Sequence, residues 1–144
     1  MLIHEDREIL NETYRNTKMA VDAIYAVIGK IEDEDLALDL NRQVGKFNDF
    51  KERAEEKLLE NGYQPEKSNA AQQMMLKISA KANAAMDTSA GHIADMMIQG
   101  NTKGIVSMLK TVNANKNAST YAYELANELM DFEERTIEKL KDYL

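Results

Sequence analysis

The sequence predicts an all-α protein folded as an up-down-up-down four-helix bundle. Three observations point that way: four long stretches carry apolar residues at helical spacing, the single proline falls between two of them, and the stretches are similar in length. Helices of about 28 residues reach about 42 Å at 1.5 Å per residue, and matched lengths suit such a bundle. At 144 residues the chain has the size of one ordinary domain, so residues 1–144 are expected to share one core.

The first helix is expected over about residues 3 to 31. Leu10, Tyr14, Thr17, Val21, Ile24, Ile28 and Ile31 step by threes and fours along one stripe. The acidic run Glu32-Asp33-Glu34-Asp35 then turns the chain, with Asp33 as N-cap and Glu34 and Asp35 where a helix dipole favours negative charge. So short a connection forces the second helix antiparallel to the first.

Leu36, Leu40, Val44, Phe47, Ala54 and Leu58 line one side of the second helix, which stops at Asn61-Gly62, with Pro65 three residues on. Tyr63 to Lys67 is read as a loop. Ser68 or Asn69 caps a third helix with the stripe Met75, Ile78, Ala82, Met86, Ser89, Ile93 and Met96. Gln99 to Gly104 is expected to end it, with Gly100 as a left-handed cap and Asn101 or Thr102 opening the fourth.

The fourth segment is the least regular. Ile105, Met108, Leu109 and Val112 begin a stripe, but three asparagines between Asn113 and Thr120 lower the helix propensity. Periodicity resumes with Tyr121, Leu125, Leu129, Phe132, Thr136, Leu140 and Leu144. The fourth helix is therefore expected to be bent or broken near 113–120, with a break favoured.

Composition removes several function classes. With no cysteine there is no disulfide, no thiolate nucleophile and no cysteine-based zinc or iron-sulfur site. A net charge of -7 without a basic patch argues against nucleic acid. Runs such as Lys51 to Lys57 and Glu133 to Lys139 interleave both signs and read as solvated helix faces. The N-terminus lacks a signal-peptide pattern and no apolar run spans a bilayer, so a soluble, cytoplasmic protein without a membrane role is expected.

The candidate site residues are few. His92 lies among small residues, and Asp95 at i+3 can share its helical face, the spacing of a histidine-carboxylate pair. Two ligands do not complete a metal site, so Glu12 or Glu124 from other helices would have to join them. The plainer reading of His92 is a boundary histidine bonded to a neighbour. His4 and Glu8, one turn apart near the N-terminus, read as an exposed pair.

Thr17, Gln43, Ser79 and Ser89 place polar atoms toward mid-bundle. They either mark a ligand cavity or bond back to helix carbonyls. The nine methionines, at helical spacing beside Ile78 and Ile93, read as adaptable core.

Helices of this order and length, joined by a short acidic first turn, resemble the ferritin-like group of bundles. The stretch Asp87 to Ile105 further resembles small Firmicutes proteins of that shape, whose members have no assigned activity. The ferritin-like resemblance implies the fold. The diiron members place a glutamate on two helices and Glu-x-x-His on the other two, and this chain contains no Glu-x-x-His. Histidine phosphotransfer bundles carry Lys and Gly at the third and fourth positions after their histidine, where this chain has Asp95 and Met96. An aspartate there repels a phosphoryl group.

These readings lead to a non-enzymatic, ferritin-like bundle without an organic cofactor, acting by binding or by self-association. A homodimer would use surplus apolar residues such as Phe50, Met97 or Ile98. The alternative is a metal-binding protein or enzyme with the ion at His92 and Asp95, and phosphotransfer is a third.

Overall fold

A computed structural model describes residues 1–67 and 87–144. Four α-helices are present among them: α1 (His4–Val27), α2 (Glu34–Glu60), α3 (Ala90–Ala114) and α4 (Thr120–Leu140). Single 3-10 turns follow α1 at Ile28–Lys30 and α4 at Lys141–Tyr143. The fold is an all-α four-helix bundle.

The first hairpin forms as its sequence dictates. Asp33 caps α2 by accepting the Leu36 N–H at 2.9 Å, and α2 ends at Asn61, followed by Gly62 at φ 83°. Leu36, Leu40, Val44, Phe47, Ala54 and Leu58 are all buried, as are Leu10, Thr17, Val21 and Ile24 on α1. A fully buried side chain of this kind stabilises the fold by roughly 1.5–3 kcal/mol.

The second hairpin departs from expectation. α3 runs without interruption through Gln99 to Gly104, so that passage does not separate two helices. The residues read as caps bond inside the helix instead. Asn101 Nδ2 donates to Met97 O and the Thr102 hydroxyl to Ile98 O, both at 2.8 Å, which satisfies polar groups without ending the helix. Gly100 is an interior helical residue.

The real turn lies at Asn115 to Ser119, where the asparagine-rich stretch predicts a break. Ser119 caps α4, accepting from Ala122 N–H, and the Tyr123 hydroxyl donates to Asn115 O at 3.0 Å to hold the turn. Met75, Ile78, Ala82 and Met86, together with the Ser68 or Asn69 cap and Ser79, lie outside the described residues.

Contacts at the two ends of the bundle fix the helix directions. At one end, Asp6 on α1 accepts from the Ser119 N–H at the start of α4, and Asn11 Oδ1 accepts from Glu66 N–H just beyond α2. At the other, the Tyr143 hydroxyl beyond α4 donates to Asp39 near the start of α2, and Tyr143 O lies beside Gly91 at the start of α3. α1 and α4 therefore run one way, and α2 and α3 the other. Alternation holds within each hairpin, while α2 and α3 run in the same direction.

The core draws on all four helices, with Ile9, Leu10, Phe47, Ile93, Met108, Leu125 and Leu129 fully buried. Phe47 meets Phe132 edge to face at 5.1 Å between ring centres, locking α2 to α4. Phe50 and Met97 are buried in this core and Ile98 packs against it, so they do not supply the free apolar face expected for a homodimer. Among the described residues, no helix is long and apolar enough to cross a membrane.

Candidate functional site

Halfway along the bundle the packing opens into a cavity of about 480 Å³ reached by residues of all four helices. α1 contributes Glu12, Asn16, Met19, Ala20, Ala23 and Ile24, and α2 contributes Gln43 and Phe47. α3 adds Met96, Met97, Asn101, Gly104 and Ser107 among others, and α4 adds Glu133. The periodicity that builds the core also builds this space. Small residues stand at Ala20, Ala23, Gly100 and Gly104, where larger ones would close the gap between helices.

Its polar side centres on Glu133. Leu129, Glu133, Thr136 and Leu140 all face inward, and Glu133 is 1% exposed. The charged run read as a solvated face is thus divided: Glu134, Arg135, Glu138 and Lys139 are exposed while Glu133 lies inside. A signal was available, because Glu133 stands four residues after Leu129 and seven before Leu140, on the buried stripe.

Asn16 bridges the other two helices at this level. Its Nδ2 donates to Gly104 O on α3 at 3.0 Å and to Glu133 Oε1 at 3.4 Å. Burial pushes the Glu133 carboxyl up to about 8, with the Asn16 hydrogen bond pulling weakly the other way, so at neutral pH the carboxyl is mainly protonated. Gly104 makes room for it. A Cβ at that position would overlap Glu133 Oε2 and lie 2.9 Å from Asn16 Oδ1.

Two further polar residues of the cavity, Glu12 and Gln43, differ in how far they are satisfied. Glu12 accepts from the Ser107 hydroxyl at 2.5 Å and pairs with Arg15 at 2.8 Å. Gln43 is 7% exposed, and its Oε1 is buried without a hydrogen-bond partner among the described residues. Of the mid-bundle polar residues singled out from sequence, Gln43 lines the cavity, whereas Thr17 bonds back to Thr13 O at 2.8 Å. Ser89 caps α3.

His92 and Asp95 stand in the first turns of α3, Asp95 exposed and accepting from Gln99 Nε2 at 3.1 Å. Glu12 lies beside Ser107, fifteen residues along α3 from His92, or about 22 Å at the helical rise. Glu124 is exposed near the start of α4, at the opposite end of the bundle from His92. Neither carboxylate converges on the histidine. Among the described residues, no group of three or more His, Asp or Glu side chains is placed to hold a metal ion. His4 and Glu8 form an exposed pair at 3.9 Å.

No family model, curated protein or solved structure matches the chain. The arrangement of the site itself must therefore carry any functional reading.

Proposed function

We propose that this protein is a small-molecule-binding bundle of ferritin-like topology, whose mid-bundle cavity takes an amphipathic ligand. The observation that carries this reading is the combination of about 480 Å³ of space with a largely apolar lining that carries a few buried polar groups. Met19, Ala20, Ala23, Ile24, Phe47, Met96 and Met97 offer apolar surface, while the Asn16–Glu133 pair, 3.4 Å apart, and Gln43 supply polar groups. Ligand sites are typically 300–1,000 Å³, mostly apolar with a few convergent polar groups. Protein interiors are ordinarily close-packed, so a buried carboxyl beside a void is costly unless something uses it.

The helix directions support the ferritin-like part. Two antiparallel hairpins whose second and third helices run the same way are compatible with the ferritin-like arrangement of a four-helix bundle. Its diiron motif has no counterpart on α4: Glu133 is followed at the third position by Thr136, not histidine. A cavity with polar groups at the middle of such a bundle serves binding without iron.

Thermal denaturation with octyl compounds tests the proposal. A neutral, cationic or anionic octyl probe that enters the cavity raises Tm, with a stabilisation of about 2.7 kcal/mol at a hundred times Kd. Ala23→Phe, which fills the apolar side, should remove the shift. If none of 1-octanol, octylamine or octanoate stabilises the protein, or if Ala23→Phe leaves the shift unchanged, the proposal is wrong.

A further inference from the structure

We infer that the cavity holds one extended alkyl chain with an anionic head, the chain lying between α1 and α3 and the head beside Lys103; this rests on the binding reading above. Two hydrogen bonds set the register of these two walls. The Ser107 hydroxyl donates to Glu12 Oε1 at 2.5 Å, and Asn16 Nδ2 donates to Gly104 O at 3.0 Å. Position 12 on α1 thus lies beside 107 on α3, and 16 beside 104. Because the helices run in opposite directions, the α1 lining from Met19 to Ile24 continues beside the α3 lining from Gly100 back to Met96.

Polarity changes along that line. At the pinned end the walls carry Glu12, Asn16, Lys103 and Ser107, and Glu133 of α4 meets Asn16 there. Beyond it they carry Met19, Ala20, Ala23, Ile24, Met96 and Met97. The two amides of the same stretch of α3 bond within their own helix, Gln99 to Asp95 Oδ1 and Asn101 to Met97 O. The apolar run extends eight residues from Asn16 to Ile24 and eight from Gly104 to Met96, about 12 Å on either wall at the helical rise. One membrane acyl chain reaches about 15 Å, half of the roughly 30 Å hydrocarbon core of a bilayer. A somewhat shorter chain therefore fills the run, and the unbranched methionines can close around its bends.

Charge selects the head. The titratable groups on the described lining are Glu12 on α1, Lys103 on α3 and Glu133 on α4, and α2 adds none. Glu12 is paired with Arg15 at 2.8 Å. Glu133, raised by burial to about 8, is mainly neutral at pH 7 and has an O–H to donate. Lys103 is exposed and makes no ion pair among the described residues. An anionic head finds its counter-charge there, at the rim, where it keeps part of its water and avoids the cost of full burial. A cationic head would meet a like charge.

Calorimetry at neutral pH with straight-chain carboxylates, each below its micelle-forming concentration, reads the chain. Affinity should rise roughly fourfold per methylene from hexanoate to decanoate and level off from dodecanoate onward, where the chain outruns Ile24 and Met96. Decanoate should bind roughly fivefold tighter than decylamine, the worth of an exposed charge pair. Lys103→Met, an exposed change whose folding circular dichroism checks, should erase that preference. Equal affinity of hexanoate and decanoate would overturn the extended chain. Tighter binding of decylamine, or a preference that survives Lys103→Met, would overturn the anionic head. Either result leaves the cavity a binding site as long as octyl compounds raise Tm, whereas failure of every probe would remove both readings.

Discussion

Gly104 and Glu133 share one space: the carboxyl of α4 fills the position that a side chain on α3 would need. A Cβ at residue 104 would overlap Glu133 Oε2 and crowd Asn16 Oδ1 at 2.9 Å. The glycine sits mid-helix for a packing reason and not for a turn.

Gly104→Ala is accordingly expected to destabilise the protein by about 1–3 kcal/mol, the usual cost of overpacking, despite the better helix propensity of alanine. Gly100→Ala is the control, since a Cβ there meets nothing within 4 Å; it should stabilise by about 0.5–1 kcal/mol. Urea denaturation of the two variants separates these outcomes. Similar behaviour at both positions would mean that the shared space has no energetic consequence.

Glu133→Gln should make the protein more stable at neutral and alkaline pH. The folded carboxyl titrates at about 8 against 4.5 for an ordinary one, so the native state holds a proton that the unfolded state has released. Stability is then full below pH 4.5, falls as pH rises, and reaches its lower plateau above pH 8. The variant lacks this slope, and its advantage at pH 8 should be roughly 2–4 kcal/mol. Denaturation midpoints at pH 4.5, 6, 7 and 8.5 check it, and parallel curves for both proteins would contradict it.

Asp6 works in the opposite direction. Burial opposes its ionisation, but N–H groups of Ser119 and Ile3 and the Ser119 hydroxyl outweigh burial and hold the carboxyl below its ordinary value. A lowered folded pKa gives stability that is complete above the unfolded value of 3.8 and is lost as pH falls below it. Asp6→Asn, which cannot accept both N–H groups as a carboxylate does, should cost about 1–3 kcal/mol at pH 7. The gap to the unsubstituted protein should narrow near pH 3, where chemical denaturation can follow it.

Tyr143→Phe should loosen the far end of the bundle. The Tyr143 hydroxyl donates to Asp39 Oδ2 at 2.5 Å, and this bond, with burial and the charges of Asp39, Asp33 and Asp35, raises the phenol to about 12. Loss of one charge-assisted hydrogen bond is expected to cost about 1.5–3 kcal/mol. Hydrogen exchange at the start of α2 should quicken while that at Asp6 and Ser119 stays as it was. Spectrophotometric titration should lose its highest-titrating tyrosine.

The first hairpin could be read from the chain because every signal in it is local. The Asp33 cap, the Asn61-Gly62 stop and the stripe from Leu36 to Leu58 each need only neighbours in sequence. The asparagine-rich break before Ser119 was legible for the same reason. Gln99 to Gly104 misled because glycine, asparagine and threonine serve equally at helix ends and within helices pressed against another element. Asn101 and Thr102 bond back to carbonyls of their own helix, and Gly104 lies against Glu133.

Glu133 itself stood on the buried stripe, yet its charged neighbours made the run look solvated. Gln43 was marked as a mid-bundle polar residue, but the burial of its Oε1 without a hydrogen-bond partner among the described residues depends on the packed helices.

Periodicity and caps, properties of a few consecutive residues, are enough to specify helices, their inward faces and the all-α class. The shared direction of α2 and α3, the cavity and the protonated carboxyl on its lining depend on which helices lie side by side. Hydrogen bonds such as Asn16 to Gly104 and Ser119 to Asp6 join residues 88 and 113 positions apart. No local pattern encodes such pairings, because they follow from how four amphipathic surfaces share one interior.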